Sequence, residues 1–217
     1  MKLSIEKQDL SDYLANQLKV FFPDRIGIRK EEIDSNLDHI LYRTEFCFSK
    51  VNGKYYKDDN GEVIFNHLNA DQYAMFLYFA SNTIYRNESD IALCSKIFQL
   101  NRYLHGIDAF YEIELPEIFL FVHPLGTVLG RAKYSNYFLV YQRCNVGSNH
   151  GIYPTLGEYV SMHPGSSILG KCNIGENCKL SAGALLMDND LPKDSIYIGN
   201  TINCQIKKSE KRTPIWC

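Results

Sequence analysis

The chain has 217 residues, 45% apolar and 22% charged, and its 25 acidic and 23 basic side chains leave a formal net charge of −2. This ordinary globular balance excludes a disordered tail, a collagen-like chain and a disulfide-dense miniprotein, and the lack of clustered Lys/Arg argues against a nucleic-acid surface. No apolar stretch approaches the roughly 20 residues that span a bilayer, and the opening MKLSIEKQDLSDYL has no apolar signal core, so the expectation is a soluble, cytoplasmic protein without a membrane span.

Leu10, Tyr13, Leu14, Leu18 and Phe21 recur at helical spacing and predict a helix that Pro23 stops. A second stripe runs through Ile33, Leu37, Ile40 and Leu41. Asn52-Gly53 and Asn60-Gly61 bracket a short polar segment that reads as turns around a hairpin. Asn69 opens an aromatic helix with Tyr73, Phe76, Leu77 and Ile84 on one side, and Ser89-Asp90 caps a further helix carrying Ile91, Leu93, Ile97, Leu100 and Leu104. Core packing is the expected use of these faces, although their Phe and Tyr content also suits a subunit contact. Residues 1–106 therefore read as an α-helical N-terminal domain.

The next segment obeys a different period. Every sixth residue from Leu156 is aliphatic or Met: Met162, Ile168, Ile174, Leu180 and Leu186. Two places before each next member stand Val160, Ser166, Cys172, Cys178 and Ala184, all compact. Val122, Val128, Tyr134, Val140 and Val146 extend the period backwards, and the longer step from Val146 to Leu156 marks an insertion. Neither helix nor simple strand sustains six. Short flat strands joined by tight corners do, with three hexads closing one triangular coil and the coils stacking in parallel. The hexads predict between three and four coils over residues 107–200, followed by a tail, 201–217. The seven cysteines show no C-x-x-C spacing, which speaks against a disulfide framework or zinc knuckle. Six read as reduced, compact apolar side chains, and the terminal Cys217 is given no role.

The segments FVHPLGTVLG (121–130), SNHGIYPTLGEYV (148–160) and SSILGKCNIGENCKLSAGA (166–184), with DLPKDSIYIG (190–199) as an exit, resemble the hexapeptide-repeat acyltransferases, specifically the serine acetyltransferase group. The resemblance implies a mainly β chain: a C-terminal left-handed parallel β-helix preceded by helices. It also implies acetyl-CoA as co-substrate, no metal, and a homotrimer, or a dimer of trimers, with active sites shared between neighbours.

By the same resemblance His123, followed by two residues and a Gly, is the base that takes a proton from an acceptor hydroxyl. Asp108 orients that imidazole, and His150 in the inserted loop is a second active-site histidine. A hydroxyl needs such a base because its own pKa lies far above neutrality, whereas an unperturbed imidazole titrates near about 6.5. Gly147, Gly165, Ser166, Gly183 and Ala184 match edge positions suited to a pantetheine arm. Lys179 is the candidate phosphate contact, with Lys193, Lys207 and Lys208 nearer the end. Asn149 and His163 are candidate acceptor contacts. His39, His67 and His105 read as surface or packing residues.

Two departures bear on the acceptor. The family carries an Asp before the catalytic His and an Arg before the loop His, where this chain has Val122 and Asn149. A less charged pocket suits a neutral sugar hydroxyl on a polysaccharide precursor, with L-serine as the alternative. A zinc hydratase would need three histidines, but the spacings between His123, His150 and His163 do not suit that chemistry. A non-catalytic trimeric scaffold is the reading from another class, since fold alone does not establish activity.

Overall fold

The computed structural model describes residues 1–88 and 90–217. They form two units: Met1–His105 with Phe110–Glu112 and Cys217, and Gly106–Ala109 with Ile113–Trp216. Ser89, half of the expected Ser-Asp cap, lies outside the described residues.

The first unit runs β1 (Lys2–Leu3), α1 (Lys7–Phe21), α2 (Lys30–Ser49), β2 (Ile64–Phe65), α3 (Ala70–Arg86) and α4 (Ile91–His105). α1 ends just before Pro23, as the missing N–H and the restricted preceding residue require. Leu10, Leu14 and Leu18 are buried, but Phe21 in its last turn is exposed. Asn69 caps α3, its side chain accepting from the N–H groups of Asp71 and Gln72. Asp90 does the same for the N–H of Leu93 in α4. The expected one-sided stripe on α3 is too narrow: residues 72–84 are buried all round, because α3 packs between α2 and α4. The Asn60-Gly61 turn closes a hairpin through the Lys57–Val63 bridge, and the parallel pairing of β1 with β2 was not readable from local pattern. His105 is buried edge-on against Tyr73, and burial pushes its pKa down to about 4.

The second unit is a β-solenoid of about five turns. Its strands are β3 (Asp108–Ala109), β4 (Phe119–Phe121), β5 (Val128–Leu129), β6 (Phe138–Val140), β7 (Asn145–Gly147), β8 (Thr155–Leu156), β9 (Ser161–Met162), β10 (Ser167–Leu169), β11 (Asn173–Ile174), β12 (Lys179–Leu180), β13 (Leu185–Met187), β14 (Ser195–Gly199) and β15 (Cys204–Lys208). They stack into three walls. The first wall is β3-β5-β7-β10-β13, the second is β8-β11, and the third is β4-β6-β9-β12-β14-β15. All neighbours are parallel except the closing β14–β15 pair.

The leading residues of the regular run, Leu156, Met162, Ile168, Ile174, Leu180 and Leu186, all point into the core, and so do Val160, Ser166, Cys172, Cys178 and Ala184. The helix has more turns than the hexads alone predict, because the first wall already begins at Asp108. The backward extension keeps phase at Tyr134, Val140 and Val146 but is one residue out at Val122 and Val128, where Phe121 and Leu129 are the buried residues. The reason is local. The corner from Phe121 to Leu129 is two residues longer than those from Val140 to Val146 or from Met162 to Ile168, and His123 lies in the excess. Gly157 and Gly175 sit where coils approach closely. A Cβ on Gly175 would lie 2.4 Å from the Lys193 nitrogen, closer than a real side chain comes. Cys204, on exposed β15, departs from the compact apolar role expected of it, whereas Cys47, Cys94, Cys144, Cys172 and Cys178 are buried thiols.

Candidate active site

The long corner between β4 and β5 holds His123 exposed, in left-handed backbone with φ 48°. Few non-glycine residues adopt that conformation without local support. Here the turn is closed by the Leu125 N–H donating to the His123 carbonyl and the Thr127 N–H to that of Pro124. Asp108 begins β3, half-buried, in register with Val128, and its N–H donates to the Thr127 carbonyl. Asp108 and the corner histidine are thus anchored to the same edge of the first wall.

His150 lies at the opposite edge of that wall. The residues inserted after β7 make a hairpin in which Asn149 and Ile152 exchange backbone hydrogen bonds of 3.1 and 3.0 Å. Its two tip residues, His150 and Gly151, have φ 48° and 76°. Positive φ at both central residues belongs to a type I′ turn, whose twist matches the flanking strands. A single chain therefore presents His123 and His150 on two borders of one sheet, one before β5 and the other after its direct neighbour β7, rather than as one cluster.

His163 is half-buried and stacks on Tyr141, ring centroids 5.3 Å apart and planes within 12°. Burial, and then the charge of Lys179, push its pKa below the usual imidazole value. Lys179 stands on the third wall, its Nζ donating to the Lys211 carbonyl at 2.6 Å. Gly165 and Gly183 occupy successive left-handed corners beside His163, φ 74° and 70°. Gly147 ends β7 near the hairpin, its carbonyl accepting from Gly170. Ser166 and Ala184 are enclosed in the corner column, and their carbonyls accept from Asn145 and Ser167 in the ladder. Asn149 is engaged by the carboxylate of Asp188.

Sequence reasoning did not single out Tyr141 or Asp188. Each had a signal: Tyr141 directly follows the lead Val140, as His163 follows Met162, and Asp188 falls one regular coil beyond Gly170.

Searched against protein-family models, the chain matches none. Among curated proteins it is 30% identical over 105 residues to a protein of Synechococcus elongatus, covering 46% of this chain and 43% of that one. It is 26% identical over 112 residues to one of Bacillus subtilis, covering 49% and 51%. Both are serine acetyltransferases. The chain spans about half the length of these curated relatives. Solved structures of serine acetyltransferases share its architecture. The Vibrio cholerae protein superposes with a TM-score of 0.73 at 18% identity, over 96% of this chain and 82% of that one. The Neisseria gonorrhoeae protein in complex with serine gives 0.67 at 19%, over 88% and 81%. A third, in complex with CoA, gives 0.69 at 18%, over 93% and 84%. At these identities the structural likeness establishes the fold. The fold is that of a hexapeptide-repeat, serine acetyltransferase-like β-helix.

Proposed function

We propose that this protein is an acetyl-CoA-dependent O-acetyltransferase, acting as a homotrimer with each site shared between two β-helices. The carrying observation is the placement of His123 and His150, both exposed and both on locally closed turns, at opposite borders of one wall. Packing such walls around a threefold axis would bring one chain's corner toward its neighbour's hairpin. The relatives named serine acetyltransferase support the reaction class.

In this reading His123 accepts the proton of the acceptor hydroxyl as its oxygen attacks the thioester carbonyl. Asp108 fixes the tautomer, and His150 of the neighbouring chain faces the developing oxyanion. Collapse of the tetrahedral intermediate breaks the carbon–sulfur bond. The proton held on His123 passes to the CoA thiolate, leaving an acetyl ester and free CoA. Gly165 and Gly183, followed by Ser166 and Ala184, offer a corner without bulky side chains for the pantetheine arm, Gly147 offers another at the hairpin edge, and Lys179 and His163 lie beside the first of these.

The acceptor is a sugar hydroxyl of a surface-polysaccharide precursor. Val122 and Asn149 stand where a serine-binding site would carry charge, and the Asn149 amide is already committed to Asp188. L-serine is the second reading, favoured by the names of the relatives. The deciding assay is thiol release from acetyl-CoA with L-serine set against sugar nucleotides and oligosaccharides, His123→Ala alongside. Removing the base is expected to cost about 10²–10⁴-fold in kcat. Release with serine alone overturns the sugar acceptor, unchanged turnover in His123→Ala overturns the base, and no release with any acceptor overturns the enzyme in favour of a scaffold.

A further inference from the structure

The hairpin that carries His150 is held from one side by a seat three residues wide. The Asn149 side-chain amide donates to Asp188 Oδ2, while Asp188 Oδ1 accepts the Lys171 N–H at 2.9 Å. Between them lies Gly170, φ 78°, where a Cβ would come within 2.0 Å of Asp188 Oδ1 and 2.7 Å of the Asn149 Cβ. Only glycine leaves room for the carboxylate to reach the hairpin. Asp188 itself takes left-handed backbone, φ 50°, one coil below Gly170, with its N–H bonded to the Leu169 carbonyl. The neighbouring Asp190 is occupied separately, accepting from the backbone and side chain of Asn173. Asp188 is thus the carboxylate that joins the insertion to the regular coil, and it is exposed, so the core does not depend on it.

We infer that Asp188 is a positioning residue for His150: through Asn149 it fixes the hairpin tip, and its negative charge sits within electrostatic reach of the imidazole. Asn149 and the Lys171 N–H hold the carboxyl below the usual range, with His150 adding to the effect. This rests on the reading that His150 faces the oxyanion. A tip that swings free would weaken a contact made in the transition state and leave ground-state binding of acetyl-CoA unchanged.

The test uses the full chain. Asp188→Asn keeps an acceptor for Lys171 but sets an amide N–H against the Asn149 amide. It is expected to lower kcat for CoA release by about ten- to a hundredfold, with KM for acetyl-CoA and the melting temperature unchanged. The exchange Asn149→Asp with Asp188→Asn restores the bond with donor and acceptor reversed and is expected to recover most of the loss. Undiminished kcat in Asp188→Asn, or a double exchange no better than the single variant, overturns the proposal. A second readout does not need turnover. The Ile152 amide, bonded across the hairpin, is expected to exchange hydrogen faster in Asp188→Asn and to regain protection in the double exchange, and unchanged exchange overturns the seat. If the wild-type chain releases no CoA from any acceptor while Ile152 follows this pattern, the assigned reaction fails and the positioning of the hairpin stands.

Discussion

At the residue scale, the corners of this β-helix take backbone conformations that side chains rarely adopt. His123 and His150 both sit at positive φ, and each is held there by hydrogen bonds of its own turn. The same left-handed φ recurs at Tyr137, Arg143, Tyr159, Asn177 and Asp194, so it belongs to the corners of the coil, where surrounding bonds over-determine it. Glycine matters for a different reason at Gly175, where the Lys193 backbone nitrogen occupies the space of a Cβ. Gly175→Ala is therefore expected to push two coils apart and destabilise the second unit by about 1–3 kcal/mol. Chemical denaturation checks this, and a midpoint equal to wild type would show that the coils yield without cost.

At the scale of elements, α3 and α4 owe their positions to burial rather than to propensity. α3 carries Tyr73, Phe76, Tyr78 and Phe79, poor helix formers in isolation, yet all are enclosed. His105, at the end of α4, enters this packing as a neutral ring whose buried Nε2 has no hydrogen-bond partner among the described residues. Burial holds its folded pKa at about 4, below the ordinary imidazole value of 6.5. Between those values the unfolded chain binds a proton that the folded chain refuses, so stability falls as pH drops from about 6.5 towards 4. The expected result is a melting temperature that declines over that window in wild type and declines less in His105→Phe. Equal slopes would mean that other groups set the acid response. The helical spacing of the first half was legible because the apolar residues of α1 and α2 mark one face. The β1–β2 pairing was not, since it joins residues more than sixty apart through two-residue strands that leave no periodic trace.

At the scale of the whole molecule, the solenoid offers walls of parallel strands, and the proposed site needs two of them. Sedimentation equilibrium is expected to give a mass of three chains or a multiple of three, and a monomer at assay concentration that still turns over would overturn the shared site. The C-terminal tail adds something absent from the repeat. Arg212 lies over the Tyr159 ring at 3.9 Å, Tyr159 stacks on Tyr137 at 4.2 Å, and Trp216 meets Tyr137 edge-on. The tail thereby covers the third wall beside Ser161, whose hydroxyl is 3.1 Å from that of Thr213. Lys179, read as a phosphate contact, is partly engaged by the same tail.

The sequence by itself determined the solenoid, its inward residues from Leu156 onward and the position of the insertion, because each wall repeats the same backbone geometry and so imposes the same six-residue demand. The candidate histidines, by contrast, came from the resemblance of their segments to the family's motifs and not from the period. Tertiary structure alone decided the rest. The phase at Val122 and Val128 depended on a corner lengthened by two residues and a later step shortened by one, changes that a fixed period cannot register. The meeting of Asn149, Gly170 and Asp188 depended on coil lengths that bring distant residues to one edge. Contacts between coils are set by the accumulated length of everything between them, and that sum becomes visible only when the chain has closed on itself.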